Sequence, residues 1–262
     1  VLDSLVAGAF ADAGERERVR SLSVVEAAAI AAPPALDAVA ALAPRDRIHV
    51  IAEIKRASPS KGPLADIPEP VVLASAYRDG GASAISVLTE QRRFLGSLDD
   101  LAAVAAAVDV PVLRKDFVTT PYQVFEAREA GASLVLLIVA ALEQARLRAL
   151  HELVTELGMT PLVEVHSAEE ADRAVDLGAV LVGVNARNLS TFELDTSLFG
   201  RLRDRLPAGT IAIAESAVAS PADVVRYRED GADVVLVGEA LVTDGDPTAG
   251  VRAFIDATAP RA

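Results

Sequence analysis

No cysteine occurs in the 262 residues, so disulfides and thiol catalysis are both excluded. Aromatic residues are scarce, at 4% against 52% hydrophobic overall, which leaves Ala, Val and Leu to fill the core. That mix suits close helix–sheet contacts better than an all-β sandwich. Positive charge is in deficit: 25 Lys and Arg face 38 Asp and Glu, for a formal net charge of −13. Nucleic acid and anionic membrane surfaces are therefore poor general partners, because phosphate backbones need Lys/Arg-rich faces. A small anion is still admissible in a pocket that is locally positive. No apolar run is long enough to span a bilayer, and the stretch Leu134 to Leu142 falls far short. His49, His151 and His166 share no ligand spacing, so no metal is expected and the histidines carry little weight.

At the start of the chain, Leu2, Leu5, Val6 and Phe10 follow helical spacing, and a charged run extends from Glu15 to Arg20. This pattern predicts an amphipathic helix rather than a signal peptide, which would need a basic start and a continuous apolar centre. A cytoplasmic protein is expected.

The internal rhythm is stronger. Four times a helical pattern ends in Gly-Ala and a strand follows, at Gly81-Ala82, Gly131-Ala132, Gly178-Ala179 and Gly231-Ala232. Gly just past a helix end is the usual left-handed cap. The spacing between these pairs is roughly that of two βα units. Between them lie strands introduced by proline, after Pro111, Pro161 and Pro207, and an opening strand near His49 to Lys55 completes eight. The expected strands are 48–54, 83–88, 111–115, 133–138, 160–164, 180–185, 210–215 and 233–237. Helical segments such as Pro121 to Ala130 and Leu142 to Leu157 run between them. Eight such alternations predict an α/β fold with a parallel sheet, most simply a closed (β/α)8 TIM barrel. A doubly wound open sheet is the alternative, weakened by the absence of G-x-G-x-x-G or G-x-x-x-x-G-K-[ST] loops. No Pro/Gly/Ser-rich linker divides the chain, so one domain over 1–262 is expected, with residues 1–46 as an N-terminal helical extension.

Barrel interiors are filled from alternate strands, and active sites sit at the strands' C-terminal ends. At that end the first strand carries Glu53 and Lys55, the third Lys115, the fifth Glu164 and the seventh Glu215. Each follows apolar residues of the same parity: Ile51, Leu113, Leu162, and Ile211 with Ile213. Side chains of one parity share a face, so the odd strands stack apolar layers under a charged one. The sixth strand adds Asn185 and, just beyond it, Arg187. A solvated rim explains one such residue but not a matched set on alternate strands. Lys and Glu mixed in one pocket produce an ammonium acid beside a carboxylate base.

Two further groups lie in loops. The Ser-Pro-Ser-Lys-Gly segment from Ser58, the turn at Ser216 and the turn at Gly238 suit an anion such as phosphate, as in barrels whose last loops bind phosphate. Phe94, Phe117, Leu189 and Phe192 follow strands and form an apolar patch fitted to a flat, ring-bearing ligand.

With these residues in place, the chain closely resembles the indole-3-glycerol-phosphate synthase family. The resemblance rests on Ile54-Lys55-Arg56-Ala57-Ser58-Pro59-Ser60, Leu113-Arg114-Lys115-Asp116-Phe117, Leu162-Val163-Glu164-Val165-His166, Val184-Asn185-Ala186-Arg187-Asn188-Leu189 and Ala214-Glu215-Ser216. It implies closure of the indole ring of 1-(2-carboxyphenylamino)-1-deoxyribulose 5-phosphate with loss of CO2 and water, in tryptophan biosynthesis, without cofactor or metal. It further implies Lys115 as the general acid on the substrate ketone and Glu164 as the acid/base of dehydration. Lys55 then holds the substrate carboxylate and can donate a later proton, while Glu53 orients and charge-balances Lys115. Asn185, Arg187 and Glu215 fix sugar hydroxyls and the charge network. Ser58, Ser216 and Gly238 match phosphate positions, and Phe94, Phe117, Leu136, Leu189 and Phe192 match the anthranilate pocket. The partner implied is a small phosphorylated molecule, the protein being a monomer or weak homo-oligomer. One departure stands out: where the family pattern has Gly after Glu-Ser, this chain has Ala217. The competing expectations are a sister phosphoribosyl isomerase on the same barrel and a non-catalytic barrel that only binds anionic metabolites.

Overall fold

The structure, a computed structural model, describes residues 1–243 and 245–259. Eight parallel strands close on themselves: β1 (His49–Ile54), β2 (Ala84–Leu88), β3 (Val112–Lys115), β4 (Leu134–Ile138), β5 (Thr160–Val165), β6 (Leu181–Asn185), β7 (Ile211–Glu215) and β8 (Val234–Val237). Each pairs with its sequence neighbours, and β1 closes the ring against β8 with Ile51 opposite Leu236. The barrel is closed, which removes the open-sheet alternative. The expected strand boundaries differ from the observed ones by single residues at the ends, where pairing frays.

Strand alternation sorts the apolar residues into two cores. Ile51, Leu113, Leu162, Ile211 and Ile213 point inward and pack with Leu134, Leu136, Leu181, Val234 and Leu236. Residues of the other parity, such as Val50, Ala52, Val135 and Val163, face the surrounding helices. Both sides of a parallel strand are covered, so nearly every strand residue is buried. At the four Gly-Ala pairs the glycines have positive φ, between 77° and 99°, as a left-handed helix stop requires.

Three helices precede β1: α1 (Leu2–Val19), α2 (Leu22–Ala31) and α3 (Ala38–Leu42). Most of the expected face of α1 packs, with Leu5 buried and Leu2 and Val6 set against the barrel core, but Phe10 is exposed and the helix continues inward through Gly8, Ala9 and Ala13 instead. The charged end of α1 is an anchor. Arg16 Nε donates to Glu126 Oε1 at 2.5 Å, and Arg20 makes a two-pronged pair with Glu129, both acids lying on α4 (Pro121–Glu129). Glu126 also contacts the fully buried Arg114 of β3 at 3.3 Å, and Arg114 donates to Asp116 Oδ2 at 2.9 Å. A buried ionic chain thus ties the extension to the strand that carries Lys115.

Candidate active site

Every site residue expected from the sequence borders one cavity of about 390 Å³ at the C-terminal mouth of the barrel. Its floor is the charged layer. Lys115 Nζ, at the end of β3, donates to Glu164 Oε2 at 3.2 Å and lies 3.5 Å from Glu215 Oε2. Lys55 Nζ donates to Glu53 Oε1 at 2.7 Å and Ser86 Oγ on β2 donates to Glu53 Oε2 at 3.3 Å, so Glu53 orients Lys55 and not Lys115 as expected, and acts on Lys115 through charge alone. Glu53, Glu164 and Glu215 are buried, while Lys55 and Lys115 keep 20% and 15% of their side-chain surface open to the cavity. The bases therefore reach the opening and the acids lie beneath them.

Burial alone would raise every carboxyl and lower every ammonium. For Lys115 the burial effect is outweighed by Glu164, Glu215 and Glu53, which hold its ammonium well above the ordinary lysine value. Burial is likewise overridden at Glu53, kept low by Lys55 and Lys115, and at Glu164, kept well below the usual carboxylate range by Lys115 and His166. Glu215 goes the other way. Burial and the neighbouring Glu164 charge push it well above the carboxylate range, and as the protonated partner it can donate to Glu164. Two carboxyl groups over one ammonium thus divide into an anion and a neutral acid.

Glycines give these side chains their room. Gly183 of β6 lies opposite Glu164 of β5 in the parallel ladder, and the Glu215 carboxylate occupies the space its Cβ would take. A Cβ on Gly238, just past β8, would stand 2.7 Å from Glu53 Oε1 and 3.1 Å from Lys55 Nζ. Gly238 thus gives space to the Glu53–Lys55 pair while lining the mouth.

Above the floor, Phe94 and Phe117 pack at 6.2 Å between ring centroids, tilted by 47°. Leu136 lies below them, and Leu189 and Phe192 come from the loop after β6. Asn185 Oδ1 accepts from Ser216 Oγ at 2.8 Å and from the Arg187 backbone N–H at 3.0 Å, which joins the ends of β6 and β7. Arg187 Nη1 donates to the Phe192 carbonyl at 3.3 Å. Ser216 and Ala217 both have left-handed backbones, with φ of 65° and 53°. Across the mouth, Ser58 lies in a short hairpin opposite Gly62, and Lys61 forms an ion pair with Glu239 at the start of the helix Glu239–Thr243.

Two contributors escaped sequence reasoning. Leu5 of α1 lines the cavity, so the N-terminal extension forms part of its wall. His166, which shares no ligand spacing with the other histidines, has Nε2 3.2 Å from Glu164 Oε1 and Nδ1 3.2 Å from Glu170 Oε2. Its signal in the sequence was parity: it stands two residues after Glu164 and shares its face. Among the described residues no group of three or more His, Asp or Glu is placed to hold a metal ion.

Comparison with known proteins gives the family. The family model described as indole-3-glycerol phosphate synthase matches residues 2–254. The chain belongs to the indole-3-glycerol phosphate synthase family. Its relatives include the synthase of Leifsonia xyli, 65% identical over 97% of each chain. That of Rhodococcus opacus is 58% identical over 99% of this chain and 96% of its own, and that of Mycolicibacterium gilvum 60% identical over 98% and 94%. Membership makes it a carbon–carbon lyase of tryptophan biosynthesis. Among solved structures, KGPDC from Streptococcus mutans matches 81% of this chain and 97% of its own with a TM-score of 0.64 at 10% identity. The 3-hexulose-6-phosphate synthase of Salmonella typhimurium matches 80% and 98% with a TM-score of 0.64 at 16% identity. Likeness at such identities shows the fold alone. No described helix is long and apolar enough to cross a membrane.

Proposed function

We propose that the cavity closes the indole ring of 1-(2-carboxyphenylamino)-1-deoxyribulose 5-phosphate by proton transfer among its own side chains. The observation that carries this reading is the position of Lys115 Nζ, between Glu164 and Glu215 in a cavity whose apolar lining includes Phe94, Phe117 and Leu136. The anthranilate ring stacks in that apolar space. The phosphate lies toward Ser58, Ser216 and Gly238, and the substrate carboxylate meets Lys55.

As the ring carbon bonds to the ketone carbon, negative charge develops on the ketone oxygen and Lys115 gives it a proton. A strongly held ammonium is a poor acid toward water, but a good donor to an alkoxide forming beside it in a dry site. Loss of CO2 returns the C–C bonding electrons to the ring. The new hydroxyl then leaves as water after taking a second proton, and a proton departs from the adjacent carbon. Glu164 is the acid/base for that exchange, with the neutral Glu215 able to resupply it. Two protons enter the departing water and one leaves carbon, so one is taken up when the substrate carboxylate is ionised. Glu53 fixes Lys55, while Asn185 and Arg187 order the sugar hydroxyls.

The extension 1–46 and the barrel act as one domain, since Leu5 lines the cavity. The protein works in the cytoplasm as a monomer or weak homo-oligomer, with no resident cofactor. The test is to mix purified protein with the substrate and follow indole fluorescence, with Lys115→Ala as the control. Growth of signal with the parent alone supports both reaction and acid. No signal from folded parent protein overturns the reading, and turnover of a phosphoribosyl amine would favour the isomerase alternative.

A further inference from the structure

Glu164 is wholly buried, and its two oxygens have unlike surroundings. Oε2 accepts from Lys115 on the cavity side. Oε1 has no hydrogen bond of good geometry among the described residues, yet His166 Nε2 stands 3.2 Å away. His166 follows the last residue of β5 and keeps the inward parity of Glu164. The ring is fixed from behind. Glu170, in the first turn of α5 (Ala168–Leu177), accepts the His166 backbone N–H at 2.8 Å and faces Nδ1 at 3.2 Å with the same Oε2. Glu170 is itself held by its own backbone N–H, which donates to the cap residue Ser167 at 3.2 Å. A carboxylate facing Nδ1 selects a proton on that nitrogen. Nε2 is then left aimed at Glu164, where a second proton makes it a donor.

We propose that His166, clamped by Glu170, is a positioning residue for Glu164, holding Oε1 toward the barrel wall so that Oε2 stays presented to Lys115 and the substrate. The inference rests on the acid/base role given to Glu164 above. Its physical basis is that a carboxylate pulled by Lys115 alone can rotate to pair both oxygens with the ammonium, which removes the free lone pair that proton transfer needs. A cation on the opposite side balances that pull. It also keeps Glu164 anionic beside the neutral Glu215. The titratable groups facing His166 are Glu164 from β5 and Glu170 from α5; Lys115 on β3, Glu215 on β7 and Glu53 on β1 complete the layer around Glu164.

The test combines His166→Asn, Glu170→Gln and Glu164→Gln with pH–rate profiles and 15N NMR of the His166 ring. In the parent at pH 8, both ring nitrogens should be protonated, and Glu164→Gln should lower the titration midpoint of the ring. For His166→Asn, kcat should fall by roughly tenfold or more, as for lost outer-shell partners elsewhere, with KM little changed. The acid limb of kcat/KM should move to higher pH, because Glu164 loses a cationic neighbour. Glu170→Gln should move the same limb part of the way. A singly protonated ring at pH 8, or a His166→Asn enzyme whose acid limb stays in place, overturns the proposal. If His166→Asn does not fold, the NMR midpoint and the Glu170→Gln profile decide in the same terms. An active Glu164→Gln enzyme would instead remove the role of Glu164, leaving the His166–Glu164 contact to be judged by the midpoint alone.

Discussion

The Glu215 carboxylate lies in the space that a side chain on Gly183 would fill. An added Cβ there would overlap Glu215 Oε1 and stand 3.0 Å from Leu162 Cδ2. The glycine sits in mid-strand on β6, where the missing side chain weakens packing, and the close approach of Glu215 explains its presence. Gly183→Ala is therefore expected to push Glu215 away from Glu164 and Lys115. A displacement near an ångström in such a site costs roughly tenfold to a hundredfold in turnover, and overpacking costs about 1–3 kcal/mol in stability. Steady-state kinetics alongside urea unfolding checks both. Full activity in a folded variant would show that Glu215 needs no such room.

Glu164→Gln keeps the size of the side chain and removes the proton acceptor. It is expected to lower kcat by roughly a hundredfold or more while KM changes only a few-fold, the range for a lost general acid/base. Equal losses in kcat and in substrate affinity would contradict the assignment.

His166 gives a pH signature in stability as well as in rate. Burial lowers its affinity for protons, but hydrogen bonds and charge from Glu164 and Glu170 override this and push the ring up to about 10. The folded value lies above the unfolded one of about 6.5. The stabilisation is therefore fully present below about pH 6.5 and is lost as pH rises through about 10. The gap in unfolding free energy between the parent and His166→Asn should be widest near pH 6 and narrow steadily toward pH 10. A gap independent of pH would mean that the ring is neutral in the fold.

Much of this was legible because the barrel writes itself into sequence twice, as the Gly-Ala stops and as the parity of charged residues on odd strands. Glu53, Lys115, Glu164 and Glu215 were findable since each follows apolar residues on its own face. Gly183 was not, because a glycine in a strand looks the same whether or not another chain segment fills its space. Leu5 showed helical spacing, but nothing local says that α1 reaches over the mouth of the barrel. The exposed Phe10 shows the same limit, since periodicity gives a face but not which part of it meets a partner. His166 is hidden because the three histidines share no ligand spacing, and parity alone does not mark a hydrogen-bonding neighbour of Glu164.

The buried chain Arg16–Glu126–Arg114–Asp116 joins α1 to β3, next to Lys115. Arg114 is fully enclosed and also donates to the Gln123 carbonyl and Thr89 Oγ1. Glu126→Ala removes one of its two acids and releases Arg16. Breaking a buried pair costs about 3–5 kcal/mol, and the surviving Asp116 places the expected loss near about 3 kcal/mol in urea unfolding. A loss below about 1 kcal/mol, the value of a surface pair, would mean that the chain contributes little beyond what solvent would supply.

Ala217 provides a test in the stabilising direction. Its φ of 53° places a β-carbon in the left-handed region, directly after Ser216, which has a φ of 65°. That conformation costs a non-glycine residue about 1–2 kcal/mol. Glycine relieves the strain but adds freedom to the unfolded chain, which removes part of the gain. Ala217→Gly is therefore expected to raise stability by about 0.5–1 kcal/mol in urea unfolding. Because residue 217 lines the cavity beside Ser216, losing the methyl also lets the backbone N–H groups come closer to a phosphate. KM for the phosphorylated substrate should fall while kcat holds. A rise in KM would mean that the methyl fixes the turn in its binding conformation, and that this rigidity outweighs the strain.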